Sequence, residues 1–206
     1  MAHDPSAYGR NFADVYDQWY AEAPLAEITR FLAERLASGA EILELGIGTG
    51  RIALPLAAAG FRITGLDASS EMVARLRAKP GGEAIEVTIS DAADTESFPT
   101  GPFGAVVAAF NLMFNLADRD AQLRCLSNAA ASLVPGGVVV IEAFVPAAMG
   151  EPTRDLVTRS VDDRGAVLIA TETKPSESVV HGAHIELTGG HAGSDQDGGQ
   201  WWTGMH

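Results

Sequence analysis

Basic residues are scarce in this chain. Lys and Arg number 14 against 27 Asp and Glu, leaving a formal charge of −13. Such a surface repels nucleic-acid phosphates and anionic membranes, so neither is expected as a partner. Cysteine is rarer still, and Cys125 alone can form no internal disulfide. It sits between Leu123 and Leu126 in a helical pattern and reads as a buried structural thiol. No apolar run reaches the length of a membrane span; the best, 137–149, is short and contains Glu142. Residues 1–11 are polar and lack the apolar core of a signal peptide, so a cytoplasmic protein is expected. There is no His/Cys cluster at metal spacing and no Ser-His-Asp signature, so no metal site is expected. What remains is 206 residues, 47% of them hydrophobic, enough for one domain with its own core.

The most informative stretch is Glu41-Ile42-Leu43-Glu44-Leu45-Gly46-Ile47-Gly48-Thr49-Gly50-Arg51. A short apolar strand enters a glycine-rich turn, and an apolar helical segment, 52–59, follows. Glycine allows the backbone to turn tightly and to approach a ligand closely. Amides at the start of the next helix could receive an anionic group. A second strand, 61–66, ends in Asp67, 21 residues beyond Gly46. A carboxylate there suits a ribose diol, since it can accept from both hydroxyls. Ser69 and Ser70 offer a cap for the helix after it.

Strands alternate with helices along most of the chain. Leu25, Ile28, Phe31, Leu32 and Leu36 recur at helical spacing before the first strand. Strands are expected over 42–45, 61–66, 85–89, 105–110 and 138–144, with helices near 52–59, 71–78 and 120–133. Asp118 is placed to cap the last helix, and Pro135-Gly136-Gly137 to break the chain before the fifth strand. The alternation argues for a doubly wound, mostly parallel α/β sheet covered on both faces. Beyond it, 166–171 and 179–187 read as an antiparallel hairpin, so 1–188 forms one domain with 145–188 as a hairpin cap. Residues 189–206 contain no Val, Ile or Leu, and no packed structure is expected there. Trp201 and Trp202 sit oddly in such a tail.

Two readings of the glycine turn compete. The dinucleotide fingerprint wants glycine at the position of Arg51, so a nicotinamide-dependent oxidoreductase is disfavoured. Glu44, two residues before Gly46, would repel a pyrophosphate but suits a cofactor carrying an ammonium group. A charge on a buried parallel strand also needs a partner.

With these features in place, the chain resembles the class I S-adenosylmethionine-dependent methyltransferases. It is especially similar to small-molecule enzymes with an N-terminal Tyr-Asp segment and a hairpin after the fifth strand. The matching stretches are Val15-Tyr16-Asp17-Gln18-Trp19-Tyr20, 43–51, Gly65-Leu66-Asp67-Ala68-Ser69, Ser90-Asp91-Ala92, 103–115 and 133–144. The resemblance implies S-adenosylmethionine as cofactor. It places Gly46, Gly48 and Glu44 at the methionine end, Asp67 on the ribose, and Ala68 and Met72 near the adenine. Asp91 would accept from the adenine amino group while the Ala92 amide donates to the ring. Phe110 and Asn111 would floor the site, and Tyr16 would reach over it as part of a lid.

Each assignment has a plainer alternative. Asp91 can cap a turn. Met72 can fill the core, Phe110 can be core and wall at once, and Tyr16, Trp19 and Tyr20 can simply pack. Methyl transfer from a sulfonium needs alignment and exclusion of water, and a base only if the acceptor must lose a proton. No base stands out. His181 and His184 on the hairpin are weak catalytic candidates, and Asn111 and Asn115 can orient an acceptor. The expected reaction is methyl transfer to nitrogen or oxygen of a small molecule, the acceptor site being covered by the hairpin and the N-terminal segment. The alternative is a cofactor-binding or scaffold protein without turnover. Its motive is that the family normally adds two further strands where 189–206 reads as neither. An open sheet edge would follow, and a homodimer could cover it.

Overall fold

The computed structural model describes residues 3–20, 26–143, 152–162, 165–174, 176, 179–188 and 199–205. The chain divides into two compact units, Met1–Phe144 and Val145–His206.

The first unit carries helices α1 (Ala7–Phe12), α2 (Tyr16–Trp19) and α3 (Ala26–Ala33) ahead of the sheet. Then β1 (Glu41–Leu45), α4 (Ala53–Ala58), β2 (Arg62–Asp67), α5 (Ser70–Arg77), β3 (Glu86–Ile89) and β4 (Phe103–Ala108) follow, and α6 (Arg119–Ser132) and β5 (Leu133–Ile141) complete it. The five strands pair in the order β3-β2-β1-β4-β5, all parallel. The order reverses at β1, so the exits of β1 and β4 flank a crevice where doubly wound sheets bind ligands.

Alternation along β1 and β4 divides the core in two. Leu43, Leu45, Val106 and Ala108 face Ala121, Cys125 and Ala129 of α6 on one side. Ile42, Ala105 and Val107 face Leu32, Ile52 and Leu56 on the other. Two-sided burial explains why these strands read as continuous apolar runs. It also confines Glu44, which follows Leu43 and so belongs to the face of Ile42.

The helix starts behave as their sequences predict. Ser69 Oγ accepts from the Met72 amide at 3.2 Å, and Asp118 Oδ1 from the Ala121 amide at 2.7 Å. The fourth and fifth strands differ from their expected bounds, β5 ending at Ile141. Pro135-Gly136-Gly137 lies within β5, not before it: pairing runs Phe103↔Leu133, then resumes at Ala105↔Val138, so the break is a bulge with Gly136 at φ +83°. The fourth strand stops at Ala108, because Phe110 and Asn111 turn into the left-handed region at φ +53° and +65°.

The second unit is a four-stranded antiparallel sheet in chain order: β6 (Arg154–Asp162), β7 (Gly165–Lys174), β8 (Val179–Thr188) and β9 (Gly199–Met205). The expected hairpin is β7–β8. No strand is expected from the sequence at β6, and no packed structure over 189–206. Residues 199–205 instead form β9, pairing Ala183↔Trp201 and Gly182↔Trp202. Trp and Thr favour strands without any aliphatic residue, which accounts for the difference. Residues 189–198 lie outside the described residues.

Candidate functional site

The site grows from the end of β1. Gly46, Gly48 and Gly50 all adopt left-handed φ, at +63°, +55° and +81°, which explains their residue type. A Cβ on Gly46 would come 2.9 Å from Leu112 Cδ1, whereas one on Gly48 would meet nothing nearer than the Gly46 carbonyl at 3.8 Å. The backbone at Gly48 therefore borders open space, as a ligand cradle requires.

Asp67, at the end of β2, reaches back to this turn. Its Oδ2 accepts from the Gly48 amide at 2.7 Å and its Oδ1 from the Ser69 amide at 2.8 Å. Burial pushes its carboxyl up from the ordinary value while the two amides pull it down. Each oxygen keeps a lone pair, so a diol can still be held.

Glu44 is the most constrained charge in the fold. It is 3% exposed, and its Oε2 has no hydrogen-bond partner. The carboxylate accepts from the Ala53 amide, so the helix start expected to receive a ligand anion already serves Glu44. Burial drives the Glu44 carboxyl up to about 8, with nearby Arg51 opposing and Asp67 adding to the rise. The orphaned oxygen of this buried carboxyl, beside an open turn, would be satisfied by a ligand ammonium, whose charge favours release of the Glu44 proton.

Arg51, read in the sequence only as a missing glycine, proves central. Its guanidinium carbon lies 4.5 Å from the centroid of the Phe110 ring, and it donates a hydrogen bond to Tyr16. Tyr16 is buried, which raises its phenol to about 12 and keeps it protonated. Its ring meets Phe110 edge-on at 6.2 Å, Tyr20 at 4.7 Å and Tyr8 at 6.4 Å; Tyr20 meets Phe110 at 4.5 Å. The aromatic cluster expected from the N-terminal segment thus packs on the β4 exit.

The β4 exit is held by a residue that sequence reasoning passed over. Glu142 Oε2 accepts from the Phe110 amide at 3.1 Å, and its carbonyl accepts from the Asn111 amide at 3.1 Å. Non-glycine residues at such φ cost on the order of 1–3 kcal/mol each and persist only when so braced. The signal was available: a lone acid closing an otherwise apolar strand.

The remaining expected residues divide. Ala68 is half-buried between Asp67 and Ser69. Met72 is 3% exposed beneath α1, where Gly9 permits close approach to Ser69 and Met72. Asp91 Oδ1 accepts from the Ala93 amide at 2.8 Å, so one oxygen caps a turn, and Ala92 is buried. Asn115 Oδ1 is buried without a partner. His181 and His184 lie on β8, opposite Glu172 and Ile169 of β7. Three positions apart on a regular strand, they point to opposite faces and cannot jointly address one acceptor. Burial lowers the His184 imidazole below its ordinary value. Burial also raises Cys125 to about 11, which suits an inert core thiol. Among the described residues no group of acids, histidines or cysteines could hold a metal ion, and no helix is long and apolar enough to cross a membrane.

Known proteins align with this architecture. The family model described as a methyltransferase domain matches residues 42–137. The solved structure of the CcbJ methyltransferase from Streptomyces caelestis superposes with TM-score 0.82 at 31% identity, covering 98% of this chain and 81% of that one. The cypemycin N-terminal methyltransferase of a Streptomyces species is 29% identical over 146 residues, 70% of this chain and 59% of the relative. A phosphatidylethanolamine N-methyltransferase from Cereibacter sphaeroides is 37% identical over 100 residues, 47% of this chain and 48% of the relative. The chain thus spans about half the length of these curated relatives. The strand order, the glycine turn with its acids and these likenesses agree: the chain belongs to the class I S-adenosylmethionine-dependent methyltransferases.

Proposed function

We propose that the protein transfers a methyl group from S-adenosylmethionine to a nitrogen or oxygen of a small molecule in the cytoplasm. The orphaned Oε2 of Glu44, buried beside an open glycine turn, carries the reading. An α-ammonium there supplies the missing partner, and Asp67 takes the ribose hydroxyls on its free lone pairs. Gly46 and Gly48 let the backbone close on the methionine end, Asp91 offers its second oxygen to the adenine amino group, and the Ala92 amide donates to the ring. Ala68 and Met72 would lie near the adenine.

The cofactor would supply a methyl activated on a sulfonium, open to in-line attack at the methyl carbon with S-adenosylhomocysteine as the leaving group. The chain's own part is to align and to dry the site. Tyr16, Tyr20 and Phe110 form an apolar cover, Asn111 and the unpartnered Asn115 Oδ1 can orient an acceptor N–H or O–H, and Tyr16, held protonated, accepts from Arg51 and keeps its own proton to donate. Nitrogen is favoured over oxygen because one curated relative above is by name an N-methyltransferase and the other an N-terminal methyltransferase. The charge of −13 favours neutral or cationic acceptors over nucleic acid. An acceptor screen with methyl-labelled S-adenosylmethionine tests this: label should pass to a small amine or hydroxyl compound, and none across a broad panel would contradict it.

A protein that binds the cofactor without turnover is the second reading. Its support is that the first unit's sheet has five strands among the described residues, with Ile141 of the outer β5 46% exposed. Binding without label transfer would favour it. A homodimer covering that edge belongs to either reading.

A further inference from the structure

The N-terminal helices are tied to the glycine turn by a small polar network. Thr49, fully buried between Gly48 and Gly50, donates from Oγ1 to Asp17 Oδ1 at 2.6 Å. The other oxygen of Asp17 pairs with Lys79 Nζ at 2.6 Å. Lys79 closes the triangle by donating to the Thr49 carbonyl at 2.7 Å. The three residues come from α2, from the turn and from the chain after α5, which Asp17 and Lys79 thereby join.

The position of Asp17 gives the network its consequence. It directly follows Tyr16, whose ring, with that of Tyr20, packs on Phe110 and whose phenol accepts a hydrogen bond from Arg51 at the end of the turn. If Asp17 leaves Thr49, the aromatic cover loses one of its anchors at the turn, the other being the Arg51–Tyr16 hydrogen bond. The contact can open, because the side chains of Asp17 and Lys79 remain 47% and 28% exposed and water can compete for them. Charge-assisted hydrogen bonds give the tie direction and register that apolar packing alone does not.

We propose that Asp17, Thr49 and Lys79 form a latch holding the Tyr16–Tyr20 cover on the glycine turn, with Asp17 and Lys79 as positioning residues that set how long an adenosyl amino-acid ligand stays bound. The inference rests on the reading of the turn as the S-adenosylmethionine site. A second ion pair in the same segment supplies the contrast: it joins Asp14 to Arg75 of α5, and its side chains are 81% and 51% exposed.

The test follows S-adenosylhomocysteine dissociation by stopped flow in the full chain and in Asp17→Asn, Lys79→Met, Lys79→Arg and Asp14→Asn. Asp17→Asn and Lys79→Met should each speed dissociation about tenfold, the loss expected for a charged, part-buried hydrogen bond. The double variant should be no faster than either single one, since both break the same unit. Lys79→Arg should restore slow release, and Asp14→Asn should leave it unchanged, as exposed pairs contribute little. Salt should speed release from the unaltered protein and not from Asp17→Asn. Hydrogen exchange gives a second readout: in Asp17→Asn the amides of 7–20 should exchange faster while β1 and β4 keep their protection. Unchanged dissociation and exchange in Asp17→Asn and Lys79→Met, with the unaltered protein still binding, would overturn the latch alone. Equal acceleration by Asp14→Asn would do the same. No binding to the unaltered protein would overturn the site reading and the latch with it.

Discussion

Replacing Glu44 with glutamine should stabilise the ligand-free protein at alkaline pH and weaken its grip on the cofactor. Glu44 is buried, and its carboxyl titrates near 8 in the fold against an ordinary value of 4.5. Between those two values the folded state holds a proton that the unfolded state has released. Stability must then fall as pH rises, by about 1.4 kcal/mol per pH unit. Across the interval from 4.5 to 8 the loss is on the order of 5 kcal/mol, a large share of the ~5–15 kcal/mol of a typical domain. Glutamine keeps the shape and the acceptor for the Ala53 amide but carries no charge. Urea unfolding at a series of pH values should show the variant level with the unaltered protein near pH 4.5. The gap should widen in favour of the variant up to pH 8 and stay constant above it. The same change removes the carboxylate proposed to meet the α-ammonium, so S-adenosylhomocysteine affinity should drop about tenfold or more. A pH-independent gap, or an unaltered protein more stable throughout, would refute the burial argument. Greater alkaline stability with unchanged affinity would leave Glu44 buried but outside the site.

The glycines of the turn should separate by what surrounds them. Gly50→Ala places a Cβ onto the buried Leu76 Cδ1 at φ +81° and should cost about 3 kcal/mol in denaturant unfolding. Gly48→Ala, at φ +55° with space around it, should cost only about 1 kcal/mol yet lose cofactor binding. Equal destabilisation would argue against the open cradle at Gly48. Light scattering at tens of micromolar should find a dimer if a second copy covers the outer β5 edge; a strictly monomeric species counts against that.

The parallel sheet was legible because β1 and β4 are buried on both faces, which writes a continuous apolar run into Ile42–Leu43 and Ala105–Ala108. The strand β6 was not, since its residues are exposed along nearly its whole length and leave no alternation to read. Gly199–Met205 likewise lacks the aliphatic residues that mark a strand, and only its tryptophans hint at one. At the site, Glu44, Asp67 and the glycines stood out because each is costly where it lies: a buried charge, a strand-end acid, a left-handed turn. The tie from Asp17 to Thr49 was invisible, because it joins positions 32 apart through two residues of ordinary type. Arg51 was read only as an absence, although its stacking on Phe110 couples the turn to the β4 exit.

The central claim is that the glycine turn, Glu44 and Asp67 hold S-adenosylmethionine. Calorimetry with S-adenosylhomocysteine tests it most directly, with Asp67→Ala beside the unaltered protein. The account predicts saturable binding at one site, weakened about tenfold or more when Asp67 loses its carboxylate. No heat of binding at millimolar ligand in the folded protein, or equal affinity in Asp67→Ala, would contradict it.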